Sequence, residues 1–355
     1  MTMQFATRIP ARNFGFASKT TIPGFVTAKE PVCPPAQLPV PDPDHVFDEA
    51  FVRDFVLWWT NDDTRTPLYI SGPTGCGKTS TVLEFLARVN APAVSVTCSR
   101  RFVKDDLVGR WGAVQTGFAW FDGPATIAWK TGAVLLINEF SLAPAEVWVG
   151  ANDIFEGQAI TIEKTGTTVP RHPNTRVIIT DNCRCGCTPD IRYASRNEQD
   201  ASTCDRFWHL SADWPTKAVE TRILEKRCRT RLGHLLRDEI LTDLARCTAA
   251  FAKATRQKSA KEEIVFRDDA IPAVSTRVVL RLAEILGRLI AAGTPFNEAL
   301  DRSVTLAIGG ALSNARCLAM VELAAFHYTV LQQKLAAFGL DIAPAGVAAP
   351  LPEFC

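Results

Sequence analysis

The run Gly72-Pro73-Thr74-Gly75-Cys76-Gly77-Lys78-Thr79 has the spacing GxxxxGK[ST], and Ser80 follows it. Glycines so placed let backbone N–H groups converge on an anion, and a helix starting at Lys78 adds the positive end of its dipole. In such a loop Lys78 reaches the β- and γ-phosphates of a nucleotide and Thr79 sets its hydroxyl on Mg²⁺. The chemistry predicted is binding of a nucleoside triphosphate in a cradle of residues 72–80, against the bland reading of a flexible turn that matches by chance. A second polar group stands after the apolar run Ala133–Ile137, which delivers Asn138 and Glu139 at its C-terminal edge. Glu139 is the candidate base that polarises an attacking water; the alternative is a surface carboxylate after a core strand. Asn138 occupies a position where Asp is usual. Its amide accepts a hydrogen bond from a metal-bound water but lacks the charge that holds Mg²⁺.

These residues need a rigid frame. Apolar strands are predicted at Pro67–Ser71, Ala93–Cys98, Ala133–Ile137, Val177–Thr180 and Phe207–Leu210, with a helix from Lys78 to Val89 after the loop. Their alternation implies an α/β fold, a five-stranded parallel sheet with helices on both faces. Residues 106–130 read as a hairpin-bearing insertion with Gly109, Gly112, Gly117 and Gly123 among Trp111, Phe118, Trp120 and Phe121. A helix over Pro144–Phe155 follows, then a second hairpin, Ala159–Glu163 and Thr167–Val169, turning through Lys164, Thr165 and Gly166. Upstream, Phe51, Phe55, Val56 and Trp59 recur at helical spacing between Phe47 and Trp59. Eight of the 22 prolines fall between Pro10 and Pro43, which predicts an extended arm over residues 1–47 rather than helix or sheet.

After Thr216 strand signals stop. Leu280, Leu282, Ile285, Leu286 and Ile290 form one apolar helix face in what reads as a separate helical lid domain. The division predicted is an arm (1–47), a nucleotide-binding core (48–215), the lid (216–340) and a loose tail (341–355).

Net charge is +1, from 39 Lys and Arg against 38 Asp and Glu, so no global field draws the chain to nucleic acid or an anionic membrane. No apolar run approaches the roughly 18 residues of a spanning helix. Eleven cysteines, an odd count, with no apolar signal segment at the start, fit a reducing cytosol and a cytoplasmic protein. Arg8, Arg12 and Lys19 without an acid faintly suggest a transit peptide, but Pro10 and Pro23 interrupt any helix there. Cys183, Cys185, Cys187 and Cys204 offer four thiolates to zinc, a reversible disulfide, or plain loop residues; C-x-C-x-C lacks the usual zinc spacing. The basic run Arg222, Lys226, Arg227, Arg229, Arg231 and Arg237 reads as a solvated lid face rather than a nucleic-acid site. Trp58, Trp59, Trp111 and Trp120 read as packing residues.

Taken together, the chain resembles the AAA+ ATPases of the MoxR group, and within it the CobS-like branch that includes the ATPase subunit of aerobic cobaltochelatase. Phe14-Gly15-Phe16, Ile22-Pro23-Gly24-Phe25 and Pro41-Asp42-Pro43-Asp44 with Val46-Phe47 are similar to the arm before a CobS core. Asp106-Leu107-Val108-Gly109 and Phe121-Asp122-Gly123-Pro124 resemble the MoxR insertion, and Arg171-His172-Pro173 before Arg176 resembles the approach to sensor 1. The resemblance implies that Asn182 is the sensor-1 residue, hydrogen-bonded to the γ-phosphate or attacking water. It implies that Arg206, in Asp205-Arg206-Phe207, is the arginine finger reaching a neighbouring subunit's nucleotide. It makes Arg277, in Val274-Ser275-Thr276-Arg277, the sensor-2 contact. Competing readings are a loop cap for Asn182, a surface cation for Arg206 and an ion pair with Asp268 or Asp269 for Arg277. His172 reads as a turn residue.

The function so implied is an ATPase that binds ATP·Mg²⁺ between subunits of a ring, by resemblance a hexamer, and remodels a client protein. Lys78 and Thr79 hold phosphate and metal, Asn138 the metal's water shell, Glu139 the attacking water and Arg206 the transition-state charge. A protein carrying a von Willebrand factor A domain is the implied partner. The alternatives are a true cobaltochelatase subunit, an ATP-gated scaffold that hydrolyses little because Asn138 is neutral, and a nucleic-acid translocase.

Overall fold

The computed structural model describes residues 7–17, 19–25, 38–115, 117–187, 193, 195–261 and 271–339. The chain divides into two units, one of Met1–Pro43 with Phe47–Asp213, the other of Asp44–Val46 with Trp214–Cys355.

The first unit opens with an antiparallel hairpin, β1 (Thr7–Pro10) and β2 (Thr21–Gly24), where the sequence predicts an arm without sheet. A two-stranded ribbon is all edge, so the N–H that Pro10 and Pro23 lack disrupts little. The ribbon forms because its apolar residues have somewhere to go: Phe14 and Ile22 are buried, and the Phe14 ring lies 5.4 Å from both Phe47 and Phe85. Helix α1 (Glu49–Trp59) starts at Asp48, whose carboxylate accepts from the N–H groups of Ala50 and Phe51 and so satisfies two orphan donors.

There follow β3 (Leu68–Ser71), α2 (Lys78–Arg88), β4 (Ala93–Thr97), α3 (Lys104–Val108), the hairpin β5 (Gly109–Val114) and β6 (Gly117–Asp122), α4 (Pro124–Thr131) and β7 (Val134–Asn138). Then come α5 (Ala145–Val149), α6 (Asn152–Phe155), the hairpin β8 (Ile160–Ile162) and β9 (Thr167–Val169), β10 (Arg176–Asp181), α7 (Ala201–Cys204) and β11 (Trp208–Ser211). The main sheet is parallel throughout, in the order β11-β3-β10-β7-β4. Tyr69, Val94, Leu135, Ile137, Val177 and Ile179 enter the core on one face; Leu68, Ile70, Ala93, Val134, Leu136 and Ile178 enter the core on the other. Burial on both faces is why these strands read as unbroken apolar runs.

Arg176 shows how the frame is locked. Its guanidinium is fully buried, donates to the carbonyls of Trp58 (3.4 Å), Trp59 (2.8 Å) and Asn61 (2.9 Å), and lies over both indole rings. The orphan carbonyls at the C-terminus of α1 are thus met by a cation, the charge that end of a helix dipole favours.

Two expectations fail here. The helix over Pro144–Phe155 is two short helices, α5 and α6, because the backbone leaves the helical region at Ala151 (φ −114°, ψ 11°), directly after Gly150. Trp111 is half exposed rather than packed, touching Trp120 edge-on at 5.9 Å, because the β5–β6 ribbon has no second layer over it. Trp58 and Trp59 are fully buried.

The second unit is helical among its described residues: α8 (Lys217–Leu232), α9 (Asp238–Lys261), α10 (Thr276–Ala291), α11 (Phe296–Ala307), α12 (Asn314–His327) and α13 (Thr329–Phe338). Thr216, Ser275 and Ser313 cap α8, α10 and α12 with their hydroxyls. Leu282, Leu286 and Ile290 of α10 are buried, with Leu280 and Ile285 packed at the margin. Within this apolar core one ion pair is fully formed: Arg256 forks onto Glu220 at 2.7 and 2.9 Å, and Thr276 adds a bond of 2.9 Å. Among the described residues no helix is long and apolar enough to cross a membrane. The predicted tail, 341–355, and Asp268 and Asp269 lie outside the described residues.

Candidate nucleotide site

Chain crossings put the C-terminal ends of β3, β10 and β7 side by side, with Asp181 opposite Ser71 and Thr180 opposite Asn138. A crevice at such carboxyl ends is where open α/β sheets bind ligands. The loop 72–77 leaves β3 there and α2 begins at its end. Gly72 is required because a Cβ would sit 2.1 Å from the carbonyl oxygen of Ala212, where the chain leaving β11 crosses. Gly77 is required by its backbone, at φ 101° as the N-cap of α2. Gly75, also left-handed at φ 74°, completes the turn. Thr74 N–H donates to the Tyr193 hydroxyl at 3.2 Å, and Ser80 Oγ turns back to the Gly77 carbonyl at 2.9 Å.

Lys78 is buried, and its ammonium donates to the carbonyls of Gly72 (2.7 Å) and Pro73 (3.0 Å) and to Asn182 Oδ1 (2.9 Å). Among the described residues no carboxylate lies within ion-pair distance of it. Burial pulls its pKa below the ordinary lysine value and pushes the neighbouring Cys76 thiol up. A buried cation whose hydrogen-bond partners among the described residues are neutral, at the N-terminus of an 11-residue helix, fits a polyanion. The metal position is different. Thr79 Oγ1 and Thr180 Oγ1 each donate to Asn138 Oδ1 at 2.9 Å, and Asn138 Nδ2 points to the Val96 carbonyl at 3.5 Å. These oxygens suit the water shell of a divalent cation but supply no charge.

Glu139 has a left-handed backbone, φ 60° and ψ 41°, one of two such non-glycine residues among those described. Its N–H donates to the Thr180 carbonyl at 2.9 Å, and its Oε2 accepts from Asn182 Nδ2 at 3.3 Å. The structure therefore brings Lys78, Thr79, Asn138, Glu139 and Asn182 into one crevice; Asn182 spans Lys78 and Glu139 rather than capping a turn. Glu139 Oε2 also accepts from Arg196, which no sequence pattern singled out. Asp181 and Tyr193 were missed too. The only signal for Asp181 was its position directly before Asn182 at a strand end.

Three candidates remain. Arg206 follows α7, with its guanidinium on Glu156 at 2.7 and 2.9 Å and on the Ser202 carbonyl. Arg277 is exposed on the first turn of α10, in the second unit, where it lines a cavity of about 370 Å³ with Arg227, Arg231 and Arg281. His172 is a turn residue, its Nδ1 accepting from Asn174 N–H at 3.1 Å. The four-thiolate zinc reading is corrected: Cys185 and Cys204 form a disulfide, while Cys183 is buried and Cys187 exposed. Among the described residues no cluster of three metal-ligating side chains exists.

The sheet order and the loop define a P-loop nucleotide-binding domain. Residues 67–207 match the AAA domain (dynein-related subfamily). This stretch is a AAA domain of the MoxR-like kind, and a helical region follows it in the chain. It is 32% identical over 45% of its length to "Protein CbbQ" of Hydrogenophilus thermoluteolus, and 28% identical over 54% to "Protein NorQ" of Paracoccus denitrificans. It is 28% identical over 49% of its length to the "Gas vesicle ATPase GvpN2" of Halobacterium salinarum. The matches span 58%, 65% and 54% of those proteins respectively.

Proposed function

We propose that this protein binds ATP·Mg²⁺ on residues 72–80 and hydrolyses it as a motor that remodels a client protein or complex. The observation that carries this reading is the buried Lys78 ammonium, held beside Asn182 and Glu139 without a carboxylate partner among the described residues. Lys78 and the loop N–H groups would hold the phosphates, Thr79 and the water-bridged Asn138 the metal, and Glu139 the proton of the attacking water. Arg206 would act in a neighbouring subunit of a hexameric ring and Arg277 would be the contact from the helical unit. A cytoplasmic location and a partner with a von Willebrand factor A domain belong to the same reading, as does the narrower one of a CobS-like chelatase subunit. Among the relatives, the name "Gas vesicle ATPase GvpN2" gives this activity to that protein.

A second reading has its own observation. Asn138 is neutral and Glu139 is tied to Arg196, an arrangement suited to an ATP-gated scaffold with little turnover. The test is Mg²⁺-dependent ATP turnover of the purified protein beside Lys78→Ala and Glu139→Gln. Turnover that rises faster than protein concentration and disappears in both variants supports the motor. Retained ATP binding without turnover supports the scaffold, and no binding ends both.

A further inference from the structure

Arg196 belongs to no motif, yet its guanidinium joins two carboxylates at the crevice. Its side chain is 6% exposed, with Nη1 donating to Asp181 Oδ1 at 3.1 Å and Nη2 to Glu139 Oε2. Asp181 is a fixed anchor. Its buried carboxylate accepts from Ser141 Oγ (2.9 Å), from Ser141 N–H, and from the N–H groups of Asn182 (2.6 Å) and Cys183 (3.4 Å). Arg196 is thus immobilised on one side and holds Glu139 on the other.

The described residues around Arg196 are held as well. The disulfide Cys185–Cys204 closes the chain around it, Asn197 N–H donates to the Ser141 carbonyl at 2.7 Å, and Asn197 Nδ2 donates to the carbonyls of Leu142 and Ala143. On Glu139 itself the strained left-handed backbone sets one end of the side chain and the fork of Arg196 the other. A carboxylate oxygen shared between a guanidinium and the Asn182 amide is a poorer acceptor for a water proton, because its lone pairs are already engaged in a charge-assisted bond.

We propose that Arg196 is a positioning residue that restrains Glu139, keeping its carboxylate locked to the Asp181 anchor and the turnover of the isolated protein low. This rests on the reading of Glu139 as the residue that polarises water.

The experiment compares wild type, Arg196→Ala, Arg196→Lys and Glu139→Gln. Arg196→Ala should raise kcat about tenfold with KM for ATP changed less than about twofold, the scale of releasing one charge-assisted hydrogen bond. Arg196→Lys keeps the charge but cannot fork onto both carboxylates, so it should give an intermediate rise. A fall in kcat, a change confined to KM, or no turnover in either wild type or Arg196→Ala would overturn the restraint. The second readout needs no nucleotide. Glu139→Gln should lower the unfolding midpoint of the protein, and that loss should vanish when residue 196 is already Ala; two losses that simply add would overturn the pairing. Failure of the functional reading is separate, since it would show as ATP binding indifferent to Lys78→Ala while the unfolding cycle stood unchanged.

Discussion

Asn138 Oδ1 accepts two hydrogen bonds of 2.9 Å, one from Thr79 of the phosphate loop and one from Thr180 of the neighbouring strand. A neutral amide is therefore an integral part of the site, satisfied on its oxygen by two hydroxyls and on its nitrogen by the Val96 carbonyl. Asn138→Asp supplies the missing charge at the position from which a metal's water shell would be held. It should tighten the Mg²⁺ dependence of turnover and raise kcat more than about threefold, well within what one charge contributes at a metal site. A smaller rise, measured in a Mg²⁺ titration, would show that residue 138 does not limit the rate.

Lys78→Ala removes the one buried cation from the loop. ATP affinity, followed by fluorescence titration, should fall by about 100-fold or more, since the lost contact is a charge-assisted bond to phosphate. The fold should survive, because the side chain's partners in the protein are two loop carbonyls and Asn182. Unchanged affinity would remove the loop from the binding site.

Arg176→Met should destabilise the protein by about 3 kcal/mol, the cost of stranding buried carbonyl groups that a cation had satisfied. The carbonyls of Trp59 and Asn61 are the ones left without that donor. Urea unfolding is the measurement, and a loss under about 1 kcal/mol would mean that water replaces the guanidinium.

Much of this frame was legible in the sequence and some of it was not, for reasons that particular residues make plain. The five strands stood out because both faces are buried, as Leu135 and Leu136 show by entering opposite cores. The loop 72–79 and the pair Asn138 and Glu139 stood out because each directly follows such a strand. Arg196 did not, because nothing local fixes it: it lies 57 positions from Glu139 in sequence and meets it only in the folded chain. The β1–β2 ribbon was hidden by its prolines, and the exposure of Trp111 by the assumption that a tryptophan must find a core.

Reduction should be felt in the stability of the first unit. The Cys185–Cys204 bond spans a sequence separation of 19, and opening a loop of that size costs about 3 kcal/mol on a chain-entropy account. A thermal melt with and without dithiothreitol should show a lower midpoint when reduced, and Cys204→Ser should abolish the difference. Identical melts for the wild type would place no weight on this bond.

His172 gives the pH dependence. Burial, and then the positive charge of Arg171, hold its pKa below the ordinary histidine value, and its neutral Nδ1 accepts a bond that the protonated ring cannot accept. Below the ordinary value, near pH 6.5, the unfolded chain binds a proton that the folded chain resists, so this group's stability contribution is full above that pH and falls as pH drops. His172→Asn keeps an acceptor without titrating. Its unfolding midpoint should fall less than the wild type's between pH 7 and pH 5, and equal falls would remove His172 from the account.

Helix α2 is held at both ends. At one end Lys78 joins the phosphate loop; at the other, Phe25 N–H donates to the Val89 carbonyl at 2.8 Å, Asn90 Nδ2 donates to the Phe25 carbonyl at 2.9 Å, and Arg88 reaches the Asn13 carbonyl. In mechanical terms it is a stiff rod of 11 residues, roughly 16 Å long, gripped by Asn13, between β1 and β2, and Phe25, just after β2. A displacement of residues 13–25 would be carried along the rod to Lys78, so the two ends of α2 are mechanically linked.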